Sequence, residues 1–413
     1  MTFAAEAGVI RGPAPRDTMS DPRLSPRALL PLLVVFTAIG PVALNLPLPA
    51  VPGLAREFAV DPGIIQLTIT LYLAGMAGAQ LFLGPLSDRY GRRPVLIGSL
   101  AVAAVMSLAA AFVTSAAMLI VARVLQSFGS SAGQVISRAI IRDVFDRDNA
   151  ASMIGWVTMA MVLAPMLAPT IGGLINENLG WRWIFIATFV LAGATTLLGL
   201  LRLPETRAVA AAPSFAQLLR DAALLIRDRL FVGYLLVGAL SSITFFALIG
   251  GAPHVVISVM GESSTTYGLW FMVNASGYML GNAVCGRFAA RVGSDRLIRW
   301  GTVMMVVAAS VQFAIAWFGY MTHPAMLFLP QAAIAFANGL QLPGAVAGAV
   351  GVRPEAAGSA SGLVGFSQMG LGAVAVQVAG MGVGYWMSPV PMTALILFGA
   401  WSALASLALL RRD

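Results

Sequence analysis

Asp88, Arg89, Arg92 and Arg93 stand within six positions of one another, with Gly84 ahead of them and Gly91 among them. Charges this dense do ion-pair chemistry. Asp88 and Arg92 are one helical turn apart, so the carboxylate can pair with that guanidinium or with a neighbouring helix end. The glycines permit a tight turn and close backbone approach. A second cationic feature is Arg123, which sits in an otherwise apolar run with Gln126 one turn further on. A guanidinium in such a run faces a cavity or a partner. Covalent chemistry has little to work with. Cys285 is the single cysteine, His254 and His323 stand apart, and no lysine occurs, so the lysine of a phosphate-binding loop is missing. We expect no enzymatic activity, no cofactor and no metal.

The elements that position these groups follow from composition. Of the 413 residues 59% are hydrophobic and 10% charged, against about 25% charged in soluble domains. That much apolar surface belongs in a lipid bilayer. Helices are then required, because lipid offers no water to unpaired backbone groups. Twelve stretches reach the length of roughly 20 residues that a crossing needs: 28–52, 64–87, 94–113, 116–140, 150–175, 183–202, 230–253, 266–289, 297–319, 324–349, 356–380 and 388–410. The expected fold is an all-α membrane protein of twelve transmembrane helices in two six-helix bundles. Residues 1–27 read as a disordered cytoplasmic tail, 28–202 as the first bundle, 203–229 as a cytoplasmic linker and 230–410 as the second bundle.

The net charge is +8, and its distribution argues for topology rather than nucleic-acid binding. With both termini cytoplasmic, twenty-two arginines fall on the cytoplasmic side and only Arg56 and Arg182 on the other, a strong positive-inside asymmetry. A repeat supports the division into halves. Gly84, Arg89 and Gly91 recur as Gly286, Arg291 and Gly293 at a constant offset of 202, as in transporters built from duplicated bundles.

The segment Gly84–Arg93 resembles the signature loop of the major facilitator superfamily, G-x-L-x-D-R-x-G-R-R/K, between the second and third spans. The resemblance implies a cytoplasmic latch between the bundles at Gly84, Asp88, Arg89, Gly91, Arg92 and Arg93; simple topological anchoring is the other reading. Arg123 to Gly129 is similar to the family's R-x-x-Q-G-x-G stretch. Arg123 then either shapes the central cavity or is a structural group bonded to the carbonyls of the first span. Gly155, Pro165, Pro169, Gly172 and Gly173 fit the spacing of the drug:proton antiporter motif, with alanine at two inner glycines; generic helix packing is the alternative. Further matches are to the bicyclomycin- and chloramphenicol-resistance group (Bcr/CflA). They run through Asn45–Pro52, Gln66-Leu-Thr68, Tyr72, Arg142-Asp143, Trp181–Phe185 and Ala357–Gly362.

One departure matters. The group carries an acid in the first span where this chain has Asn45, and none of the seventeen acids falls in the middle of an apolar stretch. A buried carboxylate is the usual proton carrier, whereas an amide cannot titrate. Asn45 is expected to hydrogen-bond substrate or Arg123, leaving proton coupling to a peripheral acid such as Asp88 or Glu57. A fixed positive charge without a carboxylate favours a neutral or anionic cargo. The substrate cavity is expected to draw on Asn45, Tyr72, Arg123, Gln126, Phe245, Phe246, Asn274, Asn338, Gln341 and Gln368, with Trp270 as a further aromatic wall. The resulting expectation is a monomeric exporter of small organic molecules in the bacterial inner membrane. It would act by alternating access, with protons and lipid as its other partners. The alternative is a metabolite exporter, or an uncoupled or uptake carrier.

Overall fold

The computed structural model describes residues 26–145, 147–206, 215–353 and 356–410. Residues 1–25 of the expected tail and 207–214 of the linker lie outside the described residues. The rest is helical: α1 Pro26–Asn45, a 3-10 turn Leu48–Ala50, α2 Val51–Glu57, α3 Pro62–Tyr90, α4 Arg92–Ala111, α5 Ala116–Val144, α6 Arg147–Leu179 and α7 Trp181–Arg202. Then come α8 Phe215–Ile226, α9 Arg229–Pro253 with a π-helical turn His254–Val259, α10 Ser264–Val292, α11 Ser294–Trp317, α12 Pro324–Gly351, α13 Ala357–Trp386 and α14 Val390–Ser406. Among the described residues nine helices are long and apolar enough to cross a membrane. α5, α6 and α10 fall outside that set. All three have the length, but α5 carries Arg123, Gln126 and a serine run, and α10 is rich in Ser, Thr and Asn.

Turns are placed by local chemistry. Ser115 Oγ accepts from Met118 N and opens α5, and Asp228 accepts from Leu230 N and Phe231 N to open α9. Gly91 and Gly293 end α3 and α10 with φ of 101° and 90°, a conformation that only glycine adopts without strain. The sequence repeat is therefore a repeat of backbone geometry at the same point of two helical pairs.

Packing is duplicated too. α5 packs on α1, α3 and α4, as α12 packs on α9, α10 and α11. α4 packs on α7 as α11 does on α14, and α1 on α6 as α9 does on α13. The two main contacts between the halves, α3 with α13 and α6 with α10, interchange when each helix is replaced by its repeat equivalent.

These two contacts meet at the end of the molecule that carries Glu57, where the backbones come close enough to exclude side chains. A Cβ on Gly172 would collide with the Leu46 carbonyl oxygen, and one on Gly173 with that of Ser264. The glycine pair thus seats α6 against the end of α1 and against α10, the small-residue approach that membrane helices use in place of hydrophobic burial. Thr170 Oγ1 donates to the Gly268 carbonyl at 2.8 Å and Asn176 Nδ2 to Ser264 Oγ at 3.2 Å. Glu177 accepts from Thr265 N at 2.8 Å and Thr265 Oγ1 at 2.6 Å, capping the first turn of α10 from across the seam. Across α3 and α13, Gln377 accepts from Thr70 Oγ1 at 2.7 Å and donates to the Gly63 carbonyl at 2.9 Å.

Two predictions follow from the seam. Gly173→Leu overpacks it at a cost of about 2 kcal/mol, which shifts the closed form roughly thirtyfold; in a Cys285→Ser background, labelling of a cysteine introduced at this end should rise while expression is retained. Partial burial of the Glu177 carboxylate works to raise its pKa. The hydrogen bonds from Thr265, Ser263 and Ser264 outweigh this and hold it below the usual carboxylate range. A depressed closed-state pKa stabilises closure above the ordinary carboxylate value of about 4.3, and the contribution disappears as pH falls through the lower, closed-state value. Glu177→Gln should therefore loosen this end at neutral pH, and the difference from wild type should vanish in strong acid.

Candidate functional site

The charged centre of the first half is built on α5. Arg123 is 1% exposed. Its Nη1 donates to the Ala43 carbonyl of α1 at 2.8 Å and to Gln126 Oε1 at 2.5 Å, and its Nε donates to the Thr68 carbonyl of α3 at 3.3 Å. The guanidinium carbon lies 4.1 Å from the centre of the Tyr72 ring, a cation–π distance. Gln126 passes the chain on, donating to Ser107 Oγ of α4 at 2.6 Å. Tyr72 donates to the Gly40 carbonyl at 3.2 Å and lies 2.6 Å from Ser130 Oγ. One cation thereby fastens α1, α3, α4 and α5. Of the two readings of Arg123, bonding to the first helix is present here through the Ala43 carbonyl, and the Thr68 carbonyl of α3 joins it. Among the described residues every hydrogen-bond partner of Arg123 is a neutral oxygen, and Nη2 has none. The expected bond between Asn45 and Arg123 is absent. Asn45 Nδ2 turns back to the Pro41 carbonyl of its own helix at 2.8 Å, and its Oδ1 has no partner.

The second half holds amides instead of a charge. Gln341 on α12 donates to Ser241 Oγ and to Asn338 Oδ1, both at 3.0 Å, and accepts from Thr302 Oγ1 at 2.5 Å. Asn338 Nδ2 donates to Thr244 Oγ1 at 2.8 Å. Gln331 and Gln312 extend the network, with Gln312 Nε2 donating to Gln331 Oε1 at 3.0 Å. These side chains bind α9, α11 and α12 to one another.

The ten expected cavity residues therefore do not form one lining in this conformation. Asn45, Tyr72, Arg123 and Gln126 gather in the first half, and Asn338 and Gln341 lie in the interior of the second. Phe245 and Phe246 pack edge to face at 5.4 Å, with Phe246 against Gly372 of α13. Trp270 stacks on Phe328. Gln368 is half-buried, its carbonyl accepting from Ser242 Oγ at 3.4 Å. The physical reason is that a polar side chain in an apolar interior is satisfied most readily by the helices that already touch it.

Polar atoms with unused capacity mark where a ligand could bind. Asn45 Oδ1, both amide atoms of Gln66, Arg123 Nη2 and Asn274 Oδ1 are buried without a partner. They come from α1, α3, α5 and α10, hence from both halves. Gln66 was missed as a cavity residue, although it stands one turn before Thr70 on α3. A groove of about 440 Å3 runs between α3 and α13, with Thr70 and Gln377 among apolar walls that include Ala74, Phe366 and Val374.

At the opposite end of the molecule Asp88, Arg92 and Arg93 bond within the first half. Arg92 pairs with Asp88 at 2.5 Å and with Asp143 at 2.8 Å, and donates to Ser87 Oγ at 2.7 Å. Glu205 caps α4 by accepting from Arg92 N at 2.9 Å and Arg93 N at 3.2 Å. Arg93 Nη2 reaches the Leu200 carbonyl at 2.8 Å. A Cβ on Gly91 would press on the Glu205 carboxylate, whereas Gly84 stands in open space. The pairs of Asp88, Arg92 and Arg93 stay inside residues 84–205, so they tie α3, α4 and α5 to the segment after α7 rather than one half to the other. Asp143 and Glu205 were not assigned to this cluster. Asp143 had a signal in the Arg142-Asp143 resemblance, while Glu205 lies 113 residues from Arg92 and had none. Of the Gly/Pro motif, Pro169 is buried and Pro165 half-buried inside α6. The surroundings of Gly155 lie outside the described residues.

The family model of the Major Facilitator Superfamily matches residues 33–376. The chain belongs to the Major Facilitator Superfamily. It is 32% identical over 340 residues to multidrug resistance protein D of Escherichia coli K12, covering 82% of this chain and 84% of that protein. It is 31% identical over 289 residues to a chloramphenicol resistance protein of Pseudomonas aeruginosa, covering 70% and 68%. These relatives agree with the resemblance to the bicyclomycin- and chloramphenicol-resistance group of the superfamily. Among solved structures, an inward-facing, unoccupied bacterial homologue of the human lysosomal transporter Spinster superposes with a TM-score of 0.71 at 16% identity, covering 95% of each chain. The chain is thus a multi-pass membrane protein with the fold of this superfamily.

Arg123→Ala removes the donor for the Ala43 and Thr68 carbonyls and for Gln126 and leaves them buried. The expected cost is about 3 kcal/mol, read as a lowered thermal midpoint of the detergent-purified protein, with Arg123→Lys only partly restoring it.

Proposed function

We propose that this protein is a secondary active transporter that exports small neutral or anionic organic molecules from the bacterial cytoplasm across the inner membrane. In this reading twelve spans form two six-helix bundles, residues 28–202 and 230–410. Both termini are cytoplasmic and the Glu57 end faces outward. The observation that carries the cargo assignment is the buried Arg123, whose bonding partners are neutral oxygens. Its uncompensated charge raises the cost of a cationic guest and lowers that of a neutral or anionic one.

Alternating access is supported by the duplicated packing and by a seam shut at one end with small residues. The bundles would rock about the polar atoms left unpartnered between them. Export of antimicrobial compounds is supported by the names of the relatives, which favour it over the metabolite-exporter and uptake alternatives. Proton antiport is part of the proposal, but the usual place of the acid in the first span is held by the amide Asn45, so the driving group lies elsewhere. Of the peripheral acids considered, Asp88 pairs with Arg92 and Glu57 with Arg182 and Trp181, all within the first half.

Reconstituted protein should transport chloramphenicol and leave a permanently cationic dye untransported; preferred transport of the dye would refute the cargo assignment. Asn45→Asp places a titratable carboxylate near Arg123 and should make uptake into vesicles depend more steeply on an imposed pH gradient, by roughly tenfold per pH unit at the limit. An unchanged gradient dependence would show that position 45 is outside the proton pathway.

A further inference from the structure

We propose that His254 is a proton-binding site that keeps the Glu57 end of the seam closed only while its imidazole is neutral. The inference deepens the reading as a proton-coupled exporter and rests on it only for the link to transport. His254 opens the π-helical turn that extends α9, a backbone irregularity that concentrates at functional positions. The residue is 3% exposed, and its Nε2 has no hydrogen-bond partner.

Its surroundings lie at the seam. The π turn packs against α2 of the first half and against α10 and α13 of the second. Gly380 and Gly384 stand one turn apart on α13 and are filled from outside. A Cβ on Gly380 would collide with Gln66, and one on Gly384 with Pro62, with His254 Cε1 4.0 Å away. Pro62 and Gln66 belong to α3 of the first half. The imidazole therefore lies beside the place where α3 is pressed onto α13, and separating the halves there uncovers it.

Among the described residues no carboxylate is paired with His254 while the seam is shut. On α2, Arg56 is exposed and Glu57 is bonded to Trp181 and Arg182. Asp61, before α3, is exposed. Near α10, Glu177 is committed to Thr265, the backbone N of Glu262 donates to the Val256 carbonyl, and the Tyr267 hydroxyl is buried without a partner. The described part of α13 carries no charged residue, and its Tyr385 is exposed.

A buried cation without an acceptor is strongly disfavoured, whereas a hydrated imidazole takes up a proton near pH 6.5. The step is one proton moving from outer water to the free ring nitrogen; no other bond forms or breaks. The closed seam binds this proton more weakly than the open one, so closure is favoured above about pH 6.5 and lost as pH falls below it. A group titrating in this range is what the chain lacks at Asn45.

The test uses the full chain with Cys285→Ser and spin labels at Leu179→Cys and Tyr320→Cys, both exposed positions, reconstituted in lipid nanodiscs without substrate. Between about pH 8 and pH 5 the short-distance population should fall at least roughly threefold, with a midpoint near 6.5. His254→Gln should hold the pH 8 distribution throughout, His254→Arg should give the open distribution already at pH 8, and Glu177→Gln should keep the transition. A distribution that ignores pH in the wild-type sequence, or a transition that survives in His254→Gln, overturns the proposal. The distances need no cargo, so a failure of drug transport leaves this result readable and refutes only the export reading.

Discussion

A guanidinium buried in a membrane protein has to find oxygen, and no water is there to supply it. Arg123 meets that requirement with the Ala43 and Thr68 carbonyls and the Gln126 amide, over the face of Tyr72. Much of the first half follows from this. α1, α3 and α5 must present those groups at one point, and α4 is drawn in through Gln126 and Ser107. The same constraint explains why the residue is not free to reach Asn45, which satisfies its donor inside its own helix.

The second half solves the same packing problem with neutral amides and hydroxyls, Gln341, Asn338, Thr244, Ser241 and Thr302. The two halves thus share a helix arrangement and differ in electrostatics. That asymmetry bears on function. In the proposed exporter, a pathway between them would have a fixed positive charge behind one wall and only dipoles behind the other, the basis of the neutral or anionic cargo proposed above. The seam itself is closed by backbone contact at Gly172 and Gly173 and by the Glu177 cap on α10.

Much of the fold was legible in the sequence, because apolar length and the Gly91/Gly293 repeat are local signals. The long apolar stretches fall on long helices, except that the first, 28–52, runs past the end of α1 at Asn45 through a 3-10 turn into α2, and the repeated glycines take the same positive-φ turn. The amphipathic α8 was hidden inside a connection read only as polar. The site was less legible. Sequence placed Asn338, Gln341 and Tyr72 on helices but could not say which neighbour each would face, and all three are used up in contacts within their own half. Glu205 capping α4 depends on a contact 113 residues away, and His254 looked isolated because its environment is made by α2, α10 and α13. Arg123 and the glycine pair were found because a charge or a glycine pair in a span is informative without a partner.

The account stands most directly on drug accumulation in a sensitive bacterium expressing the protein, measured with chloramphenicol and florfenicol in the presence and absence of a protonophore. It predicts lower accumulation than in control cells, with the difference abolished by the protonophore. Equal accumulation with and without the protein for neutral and anionic compounds alike would contradict it.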